Sequence, residues 1–273
     1  MADEQRDSLD EHCKRKVNYD DSYLEWKGWG GGNFGSPIAH SSSKSYFDIE
    51  MGRIKIDLTR QLDVLEIGFG NGSFLKYARD RGWNIVGSEV NKDLIAAAES
   101  QNFTVICADN LSMFSDNSFD IAVAFDVLEH IEQEKLLDFV KEIERVLKNY
   151  GIFLGRFPNG DSPFSLVNQN GDITHKSFIG SHKAKYLANE LGADILYLGG
   201  EARPFVGQSL LHFFYNIITI PLKVIINLTV NLLFFPRQSI AFCSANLVMI
   251  LRFGADKRWS QVYPPADGQG AAE

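Results

Sequence analysis

Cysteine and proline are scarce, with 3 and 8 in 273 residues. Three cysteines cannot build the disulfide framework of a small secreted scaffold. Cys107 and Cys243 lie inside apolar runs, where a free thiol behaves as a small core hydrophobe, and a reducing cytoplasm is the expected setting. Net basic charge is also missing: 35 acidic residues face 27 Lys and Arg, a formal charge of −8. A duplex nucleic-acid binder needs a basic face to displace counterions, so no nucleic-acid partner is expected. Residues 1–18 hold no apolar h-region, and export by that route is not expected. Their mixed charges bury too little to offset ordering entropy, and they are expected to be disordered. There is no internal repeat and no low-complexity tract. One absence is local. Between Ala202 and Ala255 there is no Asp or Glu, while Arg203, Lys223, Arg237 and Arg252 are present.

Apolar residues make up 45% of the chain, enough for one large core rather than two small ones. From Leu62 to Leu198 apolar β-type runs alternate with helical periodicity, which predicts βαβ units and a mostly parallel sheet. Seven strands are expected: Asp63 to Gly68, Asn84 to Ser88, Phe103 to Ala108, Phe119 to Phe125, Ile152 to Arg156, Ala193 to Leu198 and Ala245 to Phe253. Helices are expected at about 73–81, 92–100, 132–148 and 178–191. The domain therefore spans 62–256, with a tail at 257–273. Ahead of it, residues 19–61 form an N-terminal lid or substrate segment, in which aromatics alternate with glycines from Tyr23 to Gly35.

Residues 202–240 read as an insertion before the last strand. Leu210 to Phe235 is apolar enough for a membrane span. However, His212, Asn216, Thr219, Lys223, Asn227 and Asn231 recur every three or four positions, which predicts a polar stripe on an amphipathic helix. Pro221 is expected to divide it into two helices. Peripheral membrane contact through 205–235 is expected, with packing on the chain's own sheet or a homodimer interface as the alternative.

Val64-Leu-Glu-Ile-Gly-Phe-Gly-Asn-Gly-Ser-Phe74 reads as a buried strand, a glycine turn and the start of a helix. The glycines let the backbone approach a ligand closely. Their spacing is G-x-G-x-G at Gly68, Gly70 and Gly72, and Ser73 stands where a nicotinamide-binding turn has its third glycine. Glu66 precedes the first glycine by two.

This pattern resembles the first motif of class I S-adenosylmethionine-dependent methyltransferases of the type 11/23 kind. The resemblance implies a Rossmann-like α/β fold with helices on both faces of the sheet and S-adenosylmethionine as cofactor. It places Glu66, Gly68, Phe69, Gly70 and Gly72 around the methionine moiety. Glu89, with Val90 beside it, matches the acid that binds the ribose hydroxyls, and its carboxylate can accept two hydrogen bonds from a vicinal diol. Asp109, Asn110 and Leu111 resemble the adenine-binding stretch, and the segment from Phe119 to His130, with Phe125 and Asp126, resembles the one flanking the sulfonium. Read without the family, Glu89 and Asp109 are helix N-caps and Asp120 a turn residue.

For the acceptor, Asp172 and His175 resemble the D-x-x-H pattern of subfamilies acting on small molecules and sugars. His175 is the expected general base with Asp172 orienting it, and His130 is the second candidate. Asp126, Glu129 and His130 stand together, but three such residues at one strand exit are weak evidence for a metal, and none is expected. The apolar helices before Phe242 to Val248 resemble those of surface-polysaccharide biosynthesis methyltransferases, which implies O-methylation of a saccharide or lipid-linked glycan at the cytoplasmic membrane face. The alternatives are a cytosolic quinone-type small-molecule methyltransferase, a non-catalytic Rossmann-like binding module and a nicotinamide oxidoreductase.

Overall fold

The computed structural model describes residues 27, 29, 34, 37–204 and 210–254, without the side chains of 37–43 and 210–212. The expected disordered end at 1–18, the tail at 257–273 and most of 19–36 lie outside the described residues. Helix α1 (Pro37–Gly52) leads into β1 (Asp63–Ile67), α2 (Ser73–Asp80), β2 (Asn84–Glu89), α3 (Lys92–Ser100), β3 (Thr104–Cys107) and β4 (Phe119–Phe125). Then come α4 (Leu136–Val146), β5 (Leu147–Pro158), α5 (Leu166–Gly171), α6 (Ser181–Glu190), β6 (Asp194–Gly200), α7 (Leu210–Phe234) and β7 (Asn246–Arg252). The sheet order is β3-β2-β1-β4-β5-β7-β6. Only β7 runs antiparallel to its neighbours.

Local chemistry accounts for the boundaries. Asn91 caps α3 by accepting from the Asp93 and Leu94 N–H groups at 2.9 and 3.0 Å, satisfying donors that the helix itself leaves orphaned. In α4, Leu136, Val140 and Ile143 return to one buried stripe. β5 begins five residues before the expected Ile152, because Leu147 pairs with Phe119 before a register shift, and Tyr150 adopts φ 62° there. Alternate β1 residues serve opposite layers. Leu65 and Ile67 pack towards Val140 and Ile143, whereas Val64 packs with Phe74 and Tyr77. Cys243 is a buried free thiol as expected. Cys107, in contrast, is disulfide-bonded.

The insertion departs from expectation. α7 is one helix with Pro221 inside it, not two. A proline removes a single i→i−4 hydrogen bond, and the long aliphatic flanks carry the helix past it. The polar stripe turns inward. Asn231 binds the backbone N–H and C=O of Ile240 at 2.8 and 3.0 Å, and Asn227 accepts the Cys243 N–H at 2.8 Å. Residues 240–243 therefore run back along the helix towards β7, whose Leu247 pairs with Gly200. Facing outward are Phe214, Ile218, Ile225, Leu228, Leu232 and Phe234, all exposed. The stretch Phe213–Phe234 is long and apolar enough to cross a membrane. The helix is inserted between β6 and β7, neighbouring strands of the one sheet.

Candidate functional site

Strand order reverses at β1, between β2 and β4, and ligands of open α/β sheets collect at the carboxyl ends of strands beside such a switch point. There the molecule holds a cavity of about 1430 Å³. The glycine turn forms its floor. Gly68, Gly70 and Gly72 have φ 65°, 52° and 72°, a region costly for side-chain-bearing residues. Space is restricted as well. A Cβ on Gly68 would lie 2.7 Å from Val127 Cγ2, one on Gly70 3.0 Å from the Trp29 ring, and one on Gly72 2.2 Å from the Phe34 ring. Trp29 and Phe34, from the aromatic and glycine-rich segment, thus sit against the turn.

At the end of β2, Glu89 Oε2 accepts the Gly70 N–H at 3.1 Å, and Oε1 accepts those of Val90 and Asn91 at 2.8 and 3.2 Å. Burial pushes the Glu89 carboxyl up, opposed by the Val90 and Gly70 N–H groups. Glu66 is buried beneath the turn. Its carboxyl is pushed well up by burial and then by the Glu89 charge, and its Oε2 has no hydrogen-bond partner among the described residues. Glu66, Gly68, Phe69, Gly70, Glu89 and Val90 all line the cavity, whereas Gly72 shapes the turn behind it. Asp109, Asn110 and Leu111 close the β3 side. Asn110 Nδ2 donates to Asp109 Oδ1 at 2.7 Å, and Leu111 is buried.

After β4, Phe125 and Asp126 reach the wall as the sequence suggests. Asp126 is committed to a two-point ion pair with Arg156, whose Nε meets Oδ1 at 2.9 Å while Nη2 meets Oδ2. The guanidinium lies 5.4 Å from the ring centres of both Tyr46 and Phe125. Sequence reasoning passed over Arg156 and Tyr46, because nothing local marks an arginine inside a strand as the partner of an acid 30 residues earlier.

The three candidate catalytic residues come together, but on different levels. His130, on the 3₁₀ turn Leu128–His130, lines the cavity, while Asp172 and His175 stand behind it, with side chains only 4% and 6% exposed. His175 is therefore not placed to meet an acceptor directly. The turn at 172–175 folds onto the 3₁₀ turn through the Lys176 and Ser177 N–H groups, which donate to the Glu129 carbonyl at 2.7 and 3.0 Å. That contact decides which ring faces inward. Asp172 Oδ2 pairs with Lys27 at 3.0 Å, and the Thr174 hydroxyl donates to Asp172 Oδ1 at 2.5 Å. The same hydroxyl oxygen thus accepts from His130 Nδ1, 2.9 Å away, leaving the ring's lone pair on Nε2. His175 Nδ1 donates to the Gln169 carbonyl at 3.0 Å, and the two rings meet edge to face at 4.8 Å. Burial, then the neighbouring His175, lowers the His130 pKa to about 4. Glu129, His130 and His175 each place one ligand atom within 4.8 Å of the others. Asp126, held by Arg156, is not in that set. On the far side the cavity reaches α7 through Tyr215, Asn216 and Lys223, beside Arg203.

Residues 65–155 match the model of a family described as methyltransferase domain. Over 109 residues the chain is 32% identical to an uncharacterised protein of Methanocaldococcus jannaschii, covering 40% of this chain and 46% of that one. The chain thus spans about half the length of the curated relative it matches. Among solved structures it is similar to a SAM-dependent methyltransferase from Archaeoglobus fulgidus, with 21% identity, 85% of this chain and 100% of that one covered, and TM-score 0.59. A putative sarcosine dimethylglycine methyltransferase from Galdieria sulphuraria is 18% identical, with 86% and 98% covered and TM-score 0.54. At these identities the likeness is one of fold, the Rossmann-like mixed sheet.

Proposed function

We propose that this chain, whose residues 65–155 match a methyltransferase domain, is a class I S-adenosylmethionine-dependent methyltransferase that O-methylates a saccharide or lipid-linked glycan intermediate at the cytoplasmic face of a membrane. The residues fit the cofactor. Gly68 and Gly70 bring bare backbone to the cavity, Glu66 has a carboxyl oxygen without a hydrogen-bond partner among the described residues beside it, and Glu89 reaches the cavity from the neighbouring strand. When bound, S-adenosylmethionine supplies an electrophilic methyl group on sulfur. The chain's part is to align an acceptor oxygen with that methyl and to exclude water. His130 stands on the wall that the acceptor's hydroxyl approaches, and Thr174 and Asp172 fix its ring.

The observation that carries the acceptor class is the orientation of α7. Its polar stripe supplies Asn216 and Lys223 to the cavity, and its apolar face is exposed on the outside. A helix lying in a bilayer interface buries such a face, and its inner side then borders a cavity with room for a hydroxyl-rich headgroup. Because Lys223 faces the cavity, membrane binding rests on the apolar face rather than on this lysine. Ile218 and Leu232 are 70% and 74% exposed. The double variant Ile218→Asp with Leu232→Asp is expected to reduce co-flotation with anionic vesicles about fivefold while leaving S-adenosylmethionine affinity unchanged. A wild-type protein that floats with no vesicle and forms a dimer that resists dilution would remove the membrane reading.

Gly68→Ala is expected to lower S-adenosylmethionine affinity roughly three- to tenfold, since the added methyl meets Val127 in a conformation that itself costs about 1 kcal/mol or more. Calorimetric titration reads this directly, and unchanged affinity would show that the turn does not hold the cofactor.

A further inference from the structure

We propose that Glu129, His130 and His175 bind a divalent first-row transition-metal ion, in the range from manganese to zinc, which holds the acceptor oxygen at the cavity wall. The proposal rests on the methyltransferase reading of this cavity and supplies what that reading lacks, a means of activating the hydroxyl. The three residues come from two segments more than 40 positions apart, joined by the backbone bonds to the Glu129 carbonyl.

Glu129 points to a cation. Its side chain is 1% exposed, and neither carboxylate oxygen has a hydrogen-bond partner among the described residues. A carboxylate is rarely buried unless a donor or a cation satisfies it. The histidines are prepared from behind. The Gln169 carbonyl accepts from His175 Nδ1, which leaves the lone pair on Nε2, 3.9 Å from Glu129 Oε1. Thr174, tied to Asp172, holds the His130 ring in the same fashion. Metal-binding histidines characteristically give their other ring N–H to a carbonyl or to a carboxylate-linked group. Ligands about 2.1 Å from a metal stand roughly 3 to 4 Å apart. The 4.8 Å spread found here closes with small side-chain rotations.

Two imidazoles and a carboxylate leave coordination positions open. His130 is the member that lines the cavity, so the open positions face the acceptor. A hydroxyl bound there has its pKa lowered and gives its proton to solvent as it binds, before water is excluded from the cavity. Its electron pair forms the new O–C bond, and the pair of the broken C–S bond stays on sulfur.

The test uses the full-length protein, stripped with a chelator and titrated with Zn²⁺, Mn²⁺ or Co²⁺ alone. One equivalent is expected to bind, Co²⁺ should give visible absorption of a nitrogen-ligated site, and His175→Ala and Glu129→Gln should each weaken binding about tenfold or more. S-adenosylmethionine affinity, measured on the same samples, should stay at the wild-type level, which shows that the variants fold and separates this outcome from failure of the methyltransferase reading. Thr174→Val, which perturbs the ring support alone, is expected to weaken metal binding less. If the wild-type protein binds none of the three ions tighter than about 100 µM, the proposal is overturned. It is overturned equally if both ligand variants bind metal as the wild type does.

Discussion

Glu89→Ala is expected to weaken S-adenosylmethionine binding by about 10- to 150-fold, which corresponds to the 1.5 to 3 kcal/mol typical of a hydrogen bond to a charged group. The loss has two sources. The substitution removes the carboxylate that the family resemblance assigns to the ribose hydroxyls. It also strips acceptors from the Gly70, Val90 and Asn91 N–H groups, so the glycine turn loses its tie to β2. Glu89→Gln keeps an oxygen acceptor for some of these donors and should fall between the two. Titration calorimetry of all three proteins decides the matter, and an alanine variant binding within twofold of wild type would reject Glu89 as a cofactor residue.

Phe74→Ala is expected to destabilise the protein by about 3 to 5 kcal/mol, the usual range for emptying a buried phenylalanine site. Phe74 is 1% exposed and sits among Phe47, Tyr77 and Phe125, with ring centres 5.1 to 5.6 Å away. Phe47 belongs to α1, Phe74 and Tyr77 to α2, and Phe125 to the end of β4, so one cluster clamps both helices to the strand that forms the cavity wall. At about 2 to 4 °C per kcal/mol for a chain of this size, the Tm should fall by about 10 °C. Scanning calorimetry measures it. A fall below about 3 °C would mean that α1 is held elsewhere. Phe125→Leu, which keeps most of the apolar volume, should cost far less.

The sheet and the gathering of the glycine turn, Glu66 and Glu89 at one cavity were legible in the residues because both are written locally. Strands announce themselves by short apolar runs and helices by the recurrence of apolar residues every three or four positions. A glycine turn needs its glycines at consecutive places along a few residues, so Glu66 to Gly72 could be read without knowing what surrounds it. Glu89 and Asp109 followed because each closes a strand whose neighbour was already identified.

Other features depended on contacts between distant parts of the chain. Asp172 and His175 lie three positions apart in the sequence, and neither lines the cavity. Only the docking of their turn onto the Glu129 carbonyl put His130 on the wall and His175 behind it, and the same docking grouped Glu129 with both imidazoles. Arg156 claimed Asp126 across two paired strands, which no spacing along the chain encodes. In the insertion, periodicity correctly marked a polar stripe. Only the structure shows which way the stripe faces: the Ile240 and Cys243 backbone groups of the return segment pair with Asn231 and Asn227, and the apolar face of α7 is exposed.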